Sequence, residues 1–272
     1  MARAPSGVGG SWGSLSVVAS QTLVTGFAAL VLAGDRGESD PVAQVAGVTA
    51  KALADVAGRP MLARVVDALR EAGAIRIAVV ASNEAVMTLA RNLECETIPA
   101  APGPSESAAR GFALLGAPML LTTADHALLR PEWISDFRAA IDPTADVSVL
   151  LARRQAVEAA VPQTRRTYLR FADGDWSGCN LFHFASERSV AAFSLWQEVE
   201  RDRKRPWRIV RRLGPGLLFR YFLGRLALFD AMAHLGERAG LRAEAVACPH
   251  GLAAVDVDKP EDLALVRQLL EP

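Results

Sequence analysis

The stretch Phe27–Gly37 reads FAALVLAGDRG and joins an apolar run to a charged turn that contains glycine. The run Phe27–Ala33 has the length of a strand. Gly34 lets backbone N–H groups approach a phosphate closely, because glycine has no Cβ atom. A strand that ends in such a turn is typical of open α/β sheets, which bind ligands at the carboxyl ends of their strands.

Downstream of this strand, short apolar runs alternate with helical patterns. Further strands are predicted at 75–81, 94–99, 118–123, 146–151, 167–171, 178–184, 242–247 and 253–257. Helices are predicted at 60–73, 83–92, 105–115, 131–140 and 260–270. Such alternation indicates crossover helices and parallel strands. We therefore predict one α/β domain over 25–272, a Rossmann-like and mostly parallel mixed sheet with helices on both faces, plus a helical insertion at about 190–240.

The amino-terminal segment has no charged side chain between residues 5 and 34. Its length allows a membrane span or a signal peptide to be considered. The Gly, Ser, Thr and Gln residues in its first half lower its hydrophobicity, so we predict a poorly ordered tail at 1–24.

The overall charge is balanced, with 30 Lys and Arg side chains against 30 Asp and Glu side chains. This balance does not indicate a nucleic-acid partner, and we predict none. The distribution is uneven, because residues 196–225 carry nine basic and three acidic side chains, a net charge of +6. The remaining chain is correspondingly acidic.

The basic segment 196–225 also contains Trp196, Trp207 and the apolar run Leu217–Leu223. One interpretation is a helical pair that covers the sheet, with its arginines solvated or paired. A second is peripheral contact with a membrane, with basic groups near anionic head groups and aromatic side chains at the boundary. A third is a lid whose arginines receive the phosphate of an acceptor.

The numbers and positions of Cys, His and Lys limit the kinds of site that the chain can form. Cys95, Cys179 and Cys248 form no C-x-x-C pair, which predicts buried, reduced thiols rather than a zinc site or a disulfide framework. The four histidines lie in neither a G-x-S-x-G nor an H-E-x-x-H motif. Only three lysines occur against 27 arginines, which makes Lys51 notable.

The turn after the first strand is followed by Lys51 and by Gly58-Arg-Pro-Met-Leu62. Arg36 and Lys51 would supply positive charge for bound phosphates. The segment is neither a dinucleotide fingerprint nor a Walker loop. Taken alone, it is equally compatible with an ordinary surface turn.

A carboxylate follows the predicted strand at 118–123, in the sequence Thr123-Ala-Asp125-His126. At the carboxyl edge of a sheet, Asp125 is suited to hold Mg²⁺ on a triphosphate, since this ion prefers one or two carboxylates together with phosphate oxygens. The alternative is that Asp125 caps the next turn. We expect His126 to be a structural neighbour.

Two more carboxylates occur in Asp256-Val-Asp258-Lys-Pro-Glu-Asp-Leu263. Side chains at i and i+2 of an extended segment share a face, so both could meet one cation. Two weaker features are the small-residue loop Gly103–Ser107, which opens a predicted helix, and Asn180 in Gly178-Cys-Asn180-Leu-Phe. Helix capping would also explain the serines of the loop, and Asn180 could serve only a strand end.

Together these pieces resemble the signature of the nucleotidyltransferase superfamily that includes sugar-phosphate nucleotidylyltransferases and molybdenum-cofactor guanylyltransferase-like proteins. Its members carry an L-A-G-G-x-G-x-R loop, a downstream Lys, V-x-G-x-P-M-L, a metal-binding Asp after a strand, and D-x-D-x-P-E-D-L. Here Asp35 replaces the second glycine of the loop, and the spacing to Lys51 is longer than in the short guanylyltransferases.

The resemblance implies a fold of the nucleotide-diphospho-sugar transferase type. It implies an enzyme that uses Mg²⁺ to join a nucleoside triphosphate to a phosphorylated sugar, alcohol or lipid precursor and releases pyrophosphate, in the cytoplasm or at the inner face of the membrane. The implied catalytic residues are Lys51, Arg36 and Asp125. Metal would bind Asp125 with Asp256 or Asp258, and the acceptor would meet Asn180. Nucleotide binding is expected at Leu32, Ala33, Gly34, Lys51, Gly103, Ser105 and Ser107.

Two other functional classes compete with this interpretation. A glycosyltransferase would usually show D-x-D at the strand end, where this chain has Ala-Asp125-His, and it would leave Lys51 without a purpose. A non-catalytic protein at a membrane surface, with a degenerate nucleotide site, is supported mainly by Asp35.

Overall fold

The predicted first strand, β1 (Phe27–Leu32), lies inside the sheet with all six residues buried. The structure is a computed structural model that describes residues 26–34, 39–162, 166–202 and 214–270. The predicted tail at 1–24 lies outside these residues, as do Arg36 and Trp207. Because β1 is flanked by strands on both edges and by helices on both faces, an uninterrupted apolar run is the sequence it requires.

The described strands form a mixed sheet in the order β10-β7-β9-β6-β1-β4-β5. β1 pairs in parallel with β4 and β6, β4 with β5, and β10 with β7. β9 runs antiparallel to both β6 and β7, and β8 pairs with the outer part of β9. A separate two-stranded hairpin joins β2 to β3. The strand bounds are β2 Asp55–Val56, β3 Arg59–Pro60, β4 Ala74–Ala81, β5 Glu96–Pro99, β6 Met119–Thr123, β7 Val147–Arg153, β8 Leu169–Phe171, β9 Gly174–Phe184 and β10 Ala243–Cys248.

Helices cover both faces of the sheet. Ala29 and Val31 of β1 contribute to one apolar cluster, whereas Leu30 and Leu32 contribute to the other. This alternation follows from the period of two in a strand. The helix bounds are α1 Pro41–Ala46, α2 Met61–Glu71, α3 Glu84–Asn92, α4 Pro104–Leu115, α5 Pro131–Ala140, α6 Arg154–Ala160, α7 Val190–Asp202, α8 Pro215–Phe222, α9 Leu228–Arg238 and α10 Pro260–Leu270.

The structure confirms the predicted mixed sheet and, among the described residues, the helical insertion. Its described part contains α7, α8 and α9, and α7 packs on the sheet through Phe193, which stacks on Phe184 with ring centroids 4.6 Å apart. Phe112 of α4 contacts both rings. Within the basic segment, Trp196 of α7 stacks on Phe182 of β9, so this end of the segment covers the sheet. Among the described residues, no helix is both long and apolar enough to cross a membrane.

One predicted strand is wrong. The segment 253–257 has the alternation of a strand, because Val255 and Val257 are buried and Asp256 between them is less so. The chain instead makes a 3₁₀ turn at Gly251–Ala254. Gly251 packs directly on the backbone of α6, where a Cβ atom would lie 2.0 Å from the carbonyl oxygen of Ala156. The prediction of buried, reduced cysteines is confirmed, since all three are free and buried.

Candidate active site

A cleft of about 430 Å³ opens at the carboxyl edge of the sheet, where β1 and β6 end. The backbone of Ala124 donates to the carbonyl oxygen of Leu32 at 3.0 Å, which ties the two strand ends together. Seven of the predicted site residues line this cleft. They are Leu32, Ala33, Gly34, Lys51, Asp125, Asn180 and Asp258.

Lys51 lies at the centre of the polar contacts in the cleft. It begins a 3₁₀ turn, Lys51–Leu53, after α1. Its Nζ donates to Asp125 Oδ2 at 2.6 Å, to the carbonyl oxygen of Val257 at 3.2 Å and to Asp258 Oδ1 at 3.3 Å. Burial acts to lower the pKa of Lys51, but the two carboxylates outweigh it and hold the pKa above its ordinary value. Lys51 is therefore a partly buried, permanently charged ammonium group.

Asp125 is held from two sides. The hydroxyl of Thr123 donates to Oδ1, and Lys51 donates to Oδ2. The backbone carbonyl of Asp125 accepts from the amide of Val257 at 3.0 Å, so the strand end is fixed to the segment that carries Asp258. The next helix, α5, begins only at Pro131, and hence Asp125 does not cap it. Asp125 presents a carboxylate to the cleft, as its place after a strand predicts.

His126, beside Asp125, belongs to the wall behind the cleft. Its ring is fully buried and stacks on Trp133, with centroids 6.3 Å apart. Burial lowers the pKa of His126 to about 4, despite the opposing charge of Asp125. The imidazole is therefore neutral near pH 7 and acts as packing.

Asp256 faces a different cation from Asp258. Two guanidinium nitrogens of Arg166 donate to Asp256, Nη1 to the carboxylate and Nη2 to the backbone carbonyl oxygen. Asn180 Nδ2 donates to the other carboxylate oxygen at 2.8 Å. Burial raises the pKa of Asp256 above its ordinary value, although Arg166 opposes this effect. Asp256 and Asp258 thus meet different cations, and the segment that carries them is not part of a strand.

Asn180 owes its position to an irregularity in β9. The pairing of β7 with β9 changes register between Val149 and Leu151, and Asn180 has a positive φ of 48°. Asn tolerates this left-handed conformation better than most residues. The bulge lets the Asn180 side chain both line the cleft and bind Asp256. Arg166 is the other side chain that donates to Asp256. It was not predicted, since it stands in no motif and lies 90 residues from Asp256 in the chain.

Gly103 and the first turn of α4 border a neighbouring cavity of about 400 Å³, which shares Leu32, Gly34 and Pro104 with the cleft. Ser107 Oγ accepts from the amide of Ala101 at 2.9 Å. Ser105 Oγ donates to Glu200 of α7 at 2.6 Å. Both serines thus have structural partners, and Gly103 with Ser107 lines the cavity. Glu200 was not predicted from sequence, because only the fold brings the insertion to the first turn of α4.

The carboxylates of Asp125 and Asp258 form a suitable donor pair for Mg²⁺. Both accept from one Lys51 ammonium group, so they face each other across the space of a single cation. Two carboxylates completed by phosphate oxygens are what Mg²⁺ requires. In the described ranges, no group of three His, Cys, Asp or Glu side chains forms a ready-made metal cage.

An open α/β sheet with a lysine and two carboxylates at its carboxyl edge is consistent with a nucleotidyltransferase. Residues 29–246 match the family of the MobA-like NTP transferase domain, and the chain belongs to that family. No functionally curated protein matches it.

Solved structures have a similar fold. A hypothetical transferase from Thermus thermophilus is 31% identical, with a TM-score of 0.77, over 88% of this chain and 100% of that chain. The 4-diphosphocytidyl-2C-methyl-D-erythritol synthase of Anaerococcus prevotii is 11% identical, with a TM-score of 0.56, over 91% and 96%. A CMP:2-keto-3-deoxy-manno-octonic acid synthetase complexed with CTP is 18% identical, with a TM-score of 0.51, over 90% and 97%. The last two share the fold with this chain.

Proposed function

We propose that this enzyme joins a nucleoside triphosphate to a phosphorylated acceptor, a sugar, alcohol or lipid-precursor phosphate, in a Mg²⁺-dependent reaction that releases pyrophosphate. The observation that carries the proposal is the contact of Lys51 with both Asp125 and Asp258 at the end of β1 and β6. This arrangement combines a fixed positive charge with a carboxylate pair suited to Mg²⁺ in one cleft.

In the proposed reaction, a phosphate oxygen of the acceptor attacks the α-phosphorus of the triphosphate, and the bond to pyrophosphate breaks. A phosphate monoester is largely dianionic near neutral pH, since its second pKa is about 6. The attacking group therefore needs no general base. What the protein must supply is positioning and charge neutralisation.

Each part of the cleft has a role in this proposal. Asp125 and Asp258 would hold Mg²⁺, which supplies charge neutralisation on the triphosphate when bound. Lys51 would neutralise charge on the reacting phosphates, assisted by Arg36. The backbone of Leu32–Gly34 would approach the phosphates, and the cavity beside Gly103 would take the nucleoside. Asn180 would position Asp256 and border the acceptor.

The experiment that tests the proposal is a matrix of the four common nucleoside triphosphates against phosphorylated sugars, alcohols and lipid precursors. Pyrophosphate release is expected only when one triphosphate, one acceptor and Mg²⁺ are all present, and EDTA should stop it. A parallel matrix of nucleotide sugars tests the glycosyltransferase alternative. Sugar transfer there, without pyrophosphate release in the first matrix, would refute nucleotidyltransfer.

We also propose that the segment 196–225 contacts the anionic inner face of a membrane. Helix α8 and the residue after it expose large apolar side chains: Phe219 is 65% exposed, Phe222 75% and Leu223 50%. Arg220 lies among them and pairs with Asp230 at 2.7 Å. Aromatic and basic groups on one short helix are typical of elements that lie in the head-group boundary.

Flotation with anionic vesicles tests the membrane proposal. The double variant Phe219→Asp/Phe222→Asp is expected to bind the vesicles at least about tenfold more weakly, because it loses the burial of two aromatic side chains. Ile75→Asp/Leu114→Asp is a matched control, since both residues are exposed on other elements. Equal binding by the wild type and both variants would exclude α8 as the contact.

A further inference from the structure

A second, apolar cavity lies beside the active-site cleft. It has a volume of about 230 Å³ and is lined by one face of β7 and β9 and by the insertion helices α7 and α9. Val149 and Phe182 form its floor, Leu195 and Trp196 one side, and Met232 the other. Its walls are almost entirely apolar, in contrast to the Lys51 and Asp125 cleft next to it.

The two cavities share a wall. Phe182 and Trp196 line both of them, and their rings stack with centroids 6.2 Å apart at an interplanar angle of 23°. On one side of this pair lie Lys51 and Asp125, and on the other side lies the apolar cavity. A single extended molecule that passes along the pair would thus place one end among charges and the other among hydrocarbon.

Small residues keep the apolar cavity open. Ala192 of α7 and Ala239, just after α9, border it where larger side chains would fill it. Gly236 also lines the cavity, but a Cβ atom there would lie 2.6 Å from the backbone nitrogen of Ala243, so this glycine serves the close packing of α9 on β10. An unfilled apolar volume destabilises a folded protein, because its walls lack packing partners. An apolar occupant would remove this cost.

From these observations we infer that the acceptor is amphiphilic: a phosphate monoester of a lipophilic alcohol, whose phosphate lies in the cleft and whose aliphatic chain fills the apolar cavity. This inference rests on the proposed function and specifies its acceptor.

Calorimetric titration with inorganic phosphate and with butyl, hexyl and octyl phosphate, below their micelle concentrations and with Mg²⁺ present, tests this inference. The affinity is expected to rise about fourfold for each added methylene group until the cavity is full, because each buried methylene contributes a constant transfer free energy. Equal affinity for butyl and octyl phosphate would refute the inference.

A cavity-filling variant tests whether the alkyl chain binds in this cavity or on another apolar surface. Ala192→Phe is expected to bind octyl phosphate no more tightly than butyl phosphate. Val190→Phe is a matched control on the same helix, since Val190 is 55% exposed and does not line the cavity, and it should keep the chain-length dependence. If Ala192→Phe does not fold, as judged by its melting temperature, Ala239→Leu fills the cavity from α9. Unchanged chain-length dependence in the folded cavity-filling variant would place the alkyl chain elsewhere and refute the inference.

Turnover then distinguishes this inference from the proposed function. Chain-length-dependent binding without pyrophosphate release from any acceptor would support the apolar subsite and refute nucleotidyltransfer. Pyrophosphate release that is equally efficient with short and long alkyl phosphates would support nucleotidyltransfer and refute the amphiphilic acceptor.

Discussion

Asp125→Asn is expected to lower the rate of pyrophosphate release by about 10³-fold, the upper range for removal of one preorganised electrostatic group. The substitution removes the negative charge that Lys51 contacts at 2.6 Å and that we propose for Mg²⁺. Asparagine keeps the size of the side chain and an oxygen that can accept from Thr123. The loss should therefore be one of charge rather than of shape, and added Mg²⁺ should restore little activity.

The control for this variant is Asp67→Asn on α2, where the carboxylate pairs with Arg59 at the surface. It makes the same change of charge away from the cleft and should leave the rate and the melting temperature nearly unchanged. Asp125→Asn should also stay folded, because Lys51 keeps Asp258 and the carbonyl oxygen of Val257 as partners. A folded Asp125→Asn protein with wild-type turnover would contradict the proposed role of Asp125.

The sequence alone was enough to predict the sheet and which residues lie at its carboxyl edge. Apolar runs such as Phe27–Ala33 can be recognised because strands covered on both faces contain few polar residues. Once the strands are parallel, their carboxyl ends must meet, and this requirement places Gly34 and Asp125 in one region, whereas Lys51 reaches it through α1 and the 3₁₀ turn that follows. Local sequence thus predicts which residues share an edge.

Local sequence could not predict how the residues pair at that edge. Asp256 and Asp258 are equivalent in the motif, yet one contacts Arg166 and the other Lys51. The choice depends on the turn at Gly251–Ala254, where contact with α6 prevents a strand, and on the bulge that orients Asn180. Both are tertiary packing effects, so they leave no signal within a few residues of the motif.

The insertion illustrates the same limit. Its basic and aromatic composition allowed three interpretations, and composition cannot distinguish them because all three require exposed arginines. The structure shows that Glu200 of α7 bonds to Ser105 and that Trp196 lines the cleft. The insertion therefore contributes walls to the site, and the lid and membrane interpretations can be tested as additions to that role.

Lys51→Met is the second change with a large expected effect, a fall in the rate of pyrophosphate release of about 10²-fold. The neutral side chain keeps much of the volume of lysine and removes the charge proposed to neutralise the reacting phosphates. Arg76→Met, which removes one surface charge paired with Glu96, is the matched control. The expected loss in Lys51→Met, against an unchanged rate in Arg76→Met, separates a local role from a general effect of net charge.

A second measurement on Lys51→Met tests whether Lys51 occupies the proposed metal site between Asp125 and Asp258 or only stabilises the fold. In the wild type, the ammonium group lies between the same two carboxylates that would hold Mg²⁺, so the lysine and the metal compete while no nucleotide is bound. Removal of the lysine leaves Asp125 and Asp258 facing each other without a cation, which favours metal binding. Calorimetry without nucleotide should therefore show tighter Mg²⁺ binding by Lys51→Met than by the wild type, although the variant turns over more slowly. Weaker Mg²⁺ binding by the folded variant would mean that the carboxylates do not form the metal site, and the proposed division of roles in the cleft would be wrong.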